Sequence, residues 1–138
     1  MASALKCHKE KWTKVPLFDR QKLLYKLADL VERDAKTLAQ LESVTNGTPF
    51  SLEEPVIAGL AHTIRYNAGW MDKVDGRTIT TNGPSHVFTK YSSIGVCGLV
   101  IPWNLPLWTL IVKLAPCIAM GNTVVIKPSE KTPITALK

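Results

Sequence analysis

The sequence predicts an α/β fold built around a parallel β-α-β unit, and three observations in its last third carry that reading. Residues 95–101 and 123–126 are short apolar runs without polar alternation, as in strands covered on both faces. Residues 107–120, between them, are apolar and of helical length, so the two strands are expected to lie parallel with a right-handed crossover. Thr132-Pro133 then opens a further helix as cap and first-turn proline.

The upstream elements follow from periodicity. Residues 19–43 read as a helix. Leu23, Leu27, Leu30, Val31, Leu38 and Leu41 form its apolar stripe, Asp19 its cap, and Asn46-Gly47 and Pro49 its stop. Residues 52–71 read as a second helix. Glu53 and Glu54 lie near its positive end, Pro55 in its first turn, and Ile57, Leu60, Ala61, Ile64 and Trp70 at its apolar positions. Residues 77–81 read as extended, Asn82-Gly83-Pro84 as a turn, and residues 86–91 as an alternating, half-exposed strand. Residues 77–92 are therefore expected to form a projecting β arm. In the β-α-β unit, Pro116 should bend the helix and Gly121-Asn122 provide a left-handed exit. The chain divides into leading helices (1–76), arm (77–92) and β-α-β unit with the start of the next helix (93–138).

Composition narrows the classes. The formal net charge is +6, but the lysines and arginines are dispersed among apolar residues, so no nucleic-acid partner is expected. Residues 94–112 are almost uncharged, but Pro102, Asn104 and Pro106 in their middle break any lone membrane helix, so no membrane partner is expected either. Cys7, Cys97 and Cys117 lack metal-like spacing, and residues 1–4 are too short and weakly apolar for an export signal. Both features suit a reducing, cytoplasmic location. Cys97 and Cys117 read as small buried hydrophobes. Cys7 sits among lysines without an arranged base, and none of the three reads as a nucleophile.

In open parallel sheets, ligands bind beyond the carboxyl ends of the strands. Two polar interruptions fall there, Pro102-Trp103-Asn104 and Lys127-Pro128-Ser129-Glu130. Asn104 has two readings: a helix cap before Leu105-Pro106, or a buried amide that donates to an oxyanion. Lys127 and Glu130 are either a surface salt bridge or a fork for a ribose diol. No G-x-G-x-x-G segment follows either strand, so the standard pyrophosphate turn is not encoded here.

Three blocks occur in order: Ile94-Gly95-Val96-Cys97-Gly98, Ile101-Pro102-Trp103-Asn104, and Gly121-Asn122-Thr123-Val124-Val125-Ile126-Lys127-Pro128-Ser129-Glu130. Thr132-Pro133-Ile134-Thr135-Ala136-Leu137 follows them. Upstream lie Leu27-Ala28-Asp29-Leu30-Val31-Glu32-Arg33-Asp34, Asn46-Gly47 and Tyr66-Asn67-Ala68-Gly69-Trp70. Together these resemble the NAD(P)-dependent aldehyde dehydrogenase superfamily across nearly the whole chain, most of all the branch of cytosolic and mitochondrial aldehyde, retinal and formyltetrahydrofolate dehydrogenases.

The resemblance implies an incomplete Rossmann-like dinucleotide-binding domain and oxidation of an aldehyde to a carboxylic acid with NAD, or with NADP, as hydride acceptor. It turns Asn104 into the oxyanion donor, a role contributing about 2–4 kcal/mol to the barrier. It makes Lys127 and Glu130 the adenosine-ribose pair and groups Pro128 and Ser129 with them. Ile101, Pro102, Trp103 and Asn104 line the cofactor cleft. Lys113 falls near the catalytic region without a direct role. Residues 77–92 become part of an oligomerisation arm, which implies a homo-oligomer when complete. The family's leading strands, the glycine segment near the pyrophosphate, the general-base glutamate and the nucleophilic cysteine have no counterpart here. The chain alone is thus expected to be an inactive N-terminal-side piece. The alternative is a truncated, non-catalytic nucleotide-binding or subunit-docking module. Leu105 replaces the aromatic that follows the asparagine in some relatives, which leaves the aldehyde preference open.

Overall fold

A computed structural model describes residues 1–138. The chain opens with a helix that periodicity does not announce, α1 (Ala2–Glu10), and a 3₁₀ turn (Trp12–Lys14). Neither buries a whole residue, which is why no apolar stripe betrays them. Thr123 Oγ1 donates to the Ala4 carbonyl at 3.0 Å and ties α1 to the start of a later strand.

The first long helix, α2, spans Leu17–Asn46. Its cap is Pro16, not Asp19. The Pro16 carbonyl accepts the Asp19 and Arg20 N–H groups at 3.1 Å each, and Asp19, inside the first turn, pairs with Lys22 at 3.1 Å. The helix ends as expected at Gly47, whose φ of 82° is the left-handed conformation that glycine adopts without cost. The period of the apolar stripe was right but its phase was off. The buried residues are Leu24, Ala28, Val31, Leu38, Ala39 and Glu42, whereas Leu23 and Leu30 are exposed. Small alanines set the close-packed face, and the larger leucines flank it.

Helix α3 spans Phe50–Gly69 and packs along α2. It starts two residues earlier than periodicity suggests, so Pro55 lies beyond the first turn. Proline lacks an N–H, which leaves the Ser51 carbonyl without its helical partner. Ile57, Leu60, Ala61 and Ile64 are buried as expected. Each large one contributes roughly 1.5–3 kcal/mol by burial. Trp70 is not in the core: it is exposed and tilts against Tyr66 with ring centroids 6.2 Å apart. Arg65 forks across the helix pair to Asp29 at 2.7 Å and Glu32 at 2.6 Å.

Strands β1 (Thr78–Ile79) and β2 (Val87–Phe88) pair antiparallel, Thr78 opposite Phe88 and Ile79 opposite Val87, and all four residues are exposed. At the base of this arm a Cβ on Gly76 would lie 1.8 Å from the Thr89 carbonyl oxygen, so only glycine fits.

The β-α-β unit comprises β3 (Val96–Val100), α4 (Pro106–Ala119) and β4 (Thr123–Lys127), with the strands parallel from Val96 opposite Thr123 to Val100 opposite Lys127. Burial on both strand faces is not observed. Leu99 and Ile101 are buried, but Val100 is 66 % exposed and Val125 37 %. Helix α4 covers one face, whereas on the other α1 reaches only the strand starts, through the Thr123–Ala4 bond, and leaves Val100 and Val125 exposed. The exit from α4 runs through Gly121 (φ 82°) as expected. Asn122 then fastens the strand starts, accepting the Gly95 N–H at 3.0 Å and donating to the Cys117 carbonyl at 3.1 Å. The last helix, α5 (Ile134–Leu137), is capped by Pro133 without a side-chain bond, so Thr132 is not its cap. No helix is long and apolar enough to cross a membrane.

Candidate functional site

Parallel pairing carries the two polar segments to one edge. The Ile101 N–H donates to the Lys127 carbonyl at 3.0 Å, continuing the β3–β4 ladder one residue past β3. Beyond it, Thr132 Oγ1 donates to the Trp103 carbonyl at 3.2 Å and bridges the two segments a second time. Ile101 and Ser129 are buried and anchor the edge, and Pro102 and Pro128 are half-buried. Ser129 shapes its turn: its hydroxyl accepts the Lys131 N–H at 3.2 Å and its carbonyl the Thr132 N–H at 3.3 Å. Trp103, Asn104, Lys127 and Glu130 face solvent.

Lys127 Nζ lies 3.1 Å from Glu130 Oε2, with side chains 65 % and 78 % exposed. The Glu130 carboxyl is held below the usual carboxylate range, first by its own backbone N–H and then by Lys127. At neutral pH the pair therefore presents a charged acceptor beside a charged donor. Lys113 reaches from α4 to the Val100 carbonyl at 2.7 Å, where it holds the end of β3.

Asn104 corrects the cap reading. The N-cap of α4 is Leu105, in the left-handed region at φ 46° and ψ 54°, and no side chain of the turn caps the helix. Nor is the amide of Asn104 buried: the residue is exposed and makes no side-chain hydrogen bond within the chain. A leucine at positive φ is strained by about 1–2 kcal/mol, and such strain persists only where surrounding structure imposes it. Here Pro106 at the first helical position and the Thr132–Trp103 bond hold the turn from either side.

The cap of α4 comes instead from α2. Glu42, fully buried, accepts the Leu107 N–H on Oε2 at 3.3 Å, while Oε1 accepts the Thr135 hydroxyl. One carboxyl thus joins α2 to the first turn of α4 and to α5, just behind the Asn104 turn. Burial pushes its pKa up, the two donors pull it down less, and Glu53 adds to the rise. Glu53 is itself buried, with Oε1 bound by Asn46 Nδ2 at 2.8 Å and Oε2 unpaired. Periodicity had a signal for Glu42, which follows Leu24, Ala28, Val31 and Leu38 in heptad phase on the buried face of α2.

The cysteines also differ from expectation. Cys97 and Cys117 are half-buried, not inside a closed core, and both line one hollow between β3 and α4. Burial first, then contact with Cys97, pushes the Cys117 thiol up to about 11. Cys7 is half-buried in α1. No group of three or more His, Cys, Asp or Glu side chains is gathered that could hold a metal ion.

Against known proteins, a model of the aldehyde dehydrogenase family matches residues 1–138. The chain is 50% identical to human aldehyde dehydrogenase 1A1 over 129 residues, covering 91% of this chain and 25% of that protein. An aldehyde dehydrogenase of Aspergillus niger is 46% identical over 137 residues, covering 99% and 28%. The fold superimposes on the NAD+ complex of an aldehyde dehydrogenase from Bacillus cereus with a TM-score of 0.95 at 36% identity, covering 99% of this chain and 28% of that one. The chain thus spans about a quarter of the length of the curated relatives it matches.

Proposed function

Because this chain belongs to the aldehyde dehydrogenase family, we propose that the whole protein oxidises an aldehyde to the carboxylic acid with NAD, and that residues 93–138 form part of its Rossmann-like cofactor domain. The observation that supports this most is the convergence of Ile101-Pro102-Trp103-Asn104 and Lys127-Pro128-Ser129-Glu130 on one open strand edge, bridged by the Ile101–Lys127 and Thr132–Trp103 bonds. Residues 1–76 support that edge from behind, and residues 77–92 serve as an assembly arm toward further copies of the chain.

The donor set suits a dinucleotide. Glu130, ionised and exposed, accepts from both hydroxyls of a ribose diol, and Lys127, 3.1 Å away, donates back. Pro128 and the buried Ser129 fix the turn that carries them. Pro102 and Trp103 give an apolar wall, backed by the buried Ile101. When bound, the cofactor supplies the hydride acceptor. Asn104 has a free amide N–H for the carbonyl oxygen of the aldehyde as that oxygen becomes negative, which is how a preorganised donor lowers a barrier. Lys113 keeps the end of β3 in place through the Val100 carbonyl and takes no direct part. Residues 1–138 supply neither the nucleophilic cysteine nor the general base, so this segment alone does not turn over.

The test is an NADH titration of the protein carrying this segment, read by quenching of Trp103 fluorescence against a Trp103→Phe control. Lys127→Ala should weaken binding about tenfold, the loss of one charge-assisted hydrogen bond, and Glu130→Ala, which loses two, by more than that. Unchanged binding in both variants would reject the ribose assignment.

A further inference from the structure

Outside the proposed edge, two thiols line one hollow between β3 and α4. Cys97 lies on β3, level with Val124 of β4, and Cys117 lies in the last turn of α4. Both line one open hollow of about 350 Å³, walled otherwise by Val74, Tyr91, Ile94, Pro116 and Met120. Both thiols face this hollow, Cys97 lies near enough to Cys117 to help raise its pKa, and neither is disulfide-bonded. The two segments are held together at the strand starts. The Asn122 side chain ties Gly95 to the Cys117 carbonyl, and the Gly95 carbonyl accepts the Thr123 N–H at 2.9 Å. A strand thiol and a helix thiol on one hollow, tied together through Asn122 and open to a small molecule, are placed for a covalent link between them.

We propose that Cys97 and Cys117 are a modification site, an oxidisable pair that closes to an intramolecular disulfide when a peroxide reaches the hollow. In that step the two S–H bonds break and one S–S bond forms. The two sulfurs together give up two electrons and two protons, and hydrogen peroxide is reduced to two molecules of water. The bond would staple β3 to the C-terminal turn of α4, at the end of the unit away from Asn104, and leave the proposed cofactor edge untouched. The third thiol, Cys7, lies in α1 in a separate hollow with Ser3, Lys6 and Lys11 and has no thiol partner. The raised Cys117 thiol is protonated at neutral pH and gains thiolate character as the pH climbs toward about 11.

The experiment is peptide mapping of the purified protein carrying this segment, oxidised with hydrogen peroxide or diamide, alkylated, and digested with trypsin without reductant. Cleavage after Lys90, Lys113 and Lys131 separates the two cysteines into residues 91–113 and 114–131. The expected product is a single species joining these two peptides, lighter than their sum by two hydrogens and abolished by dithiothreitol. Its yield should rise with pH, and Cys7 should remain alkylated. Protein oxidised in denaturant should instead spread its links over all available cysteines. Recovery of both peptides as separate alkylated or sulfinic forms would overturn the proposal, as would pairing of either with Cys7. Because the decisive measurement is made on the unaltered protein, Cys117→Ser and Cys97→Ser serve only to confirm the linked species.

Discussion

Replacing Glu42 with alanine should be among the most damaging single changes available in this segment, and its cost can be worked from two hydrogen bonds. The carboxyl accepts the Leu107 N–H and the Thr135 hydroxyl, and both donors belong to buried residues that solvent does not reach. Glu42→Ala leaves each without a partner, at about 1–3 kcal/mol apiece, so the combined loss is about 2–6 kcal/mol. Glu42→Gln should cost less. Its carbonyl can still take the Leu107 N–H, and the Thr135 hydroxyl can rotate to accept from the new amide. The pH dependence distinguishes the two. Burial raises the folded-state pKa of Glu42 above its unfolded value. The stabilisation gained from the protonated form is therefore fully present below the unfolded pKa and is lost as pH rises through the folded one. Glutamine does not titrate. The advantage of the native residue over glutamine should accordingly shrink as pH rises from the acid range through the folded pKa. Urea unfolding of the native, Gln and Ala proteins at a series of pH values measures all of this. An alanine variant within about 0.5 kcal/mol of native, the range of an ordinary surface change, would refute the argument. So would a native-to-glutamine gap that widens with pH.

Three further outcomes are expected. In the whole protein, Asn104→Ala should lower kcat roughly a hundredfold or more with little change in cofactor affinity; kcat retained with only a lower Tm would assign Asn104 to the fold. Steady-state kinetics should favour NAD over NADP, because the ionised Glu130 repels a 2′-phosphate, and a clear advantage for NADP would count against the ribose pair. Residues 1–138 expressed alone should be aggregated or loosely packed, given that Val100 and Val125 are exposed on the face of β3 and β4 away from α4, and should form no NADH from aldehyde and NAD. A sharp cooperative melt would overturn the first half, and turnover lost on mutating Cys7, Cys97 or Cys117 the second.

What could be read from the residues was mostly what periodicity and turn chemistry encode. The β-α-β unit is legible because two apolar runs flank an apolar helix, and Gly47 and Gly121 because left-handed exits favour glycine. The arm is legible from Asn82-Gly83-Pro84. What escaped depends on partners far apart in sequence. The phase of α2 is set by alanines that pack closely against α3, and a scan for large apolar residues rotates the face toward Leu23 and Leu30. The cap of α4 was sought next door, at Asn104, but it arrives from Glu42, 65 residues earlier. The two sets of strand-end residues were legible because strands that share a sheet bring their ends together. The backbone turn that presents Asn104 was not, because nothing in a leucine announces positive φ. The meeting of Cys97 and Cys117 has no spacing signature at all, since a strand and an antiparallel helix bring them together.

The left-handed turn at Leu105 also limits which side chains can follow the proposed oxyanion donor. At φ 46° the Cβ crowds the neighbouring carbonyl. Valine, isoleucine and threonine carry a second heavy atom there and would be far more strained than leucine. Glycine and asparagine would relax the turn, glycine by giving up any side-chain contact with a substrate. The usable apolar alphabet at this position is therefore reduced to unbranched-Cβ residues such as leucine, methionine or phenylalanine. Tuning of the aldehyde preference at position 105 would proceed by length and ring shape, with branching near the backbone closed to it by a single dihedral angle.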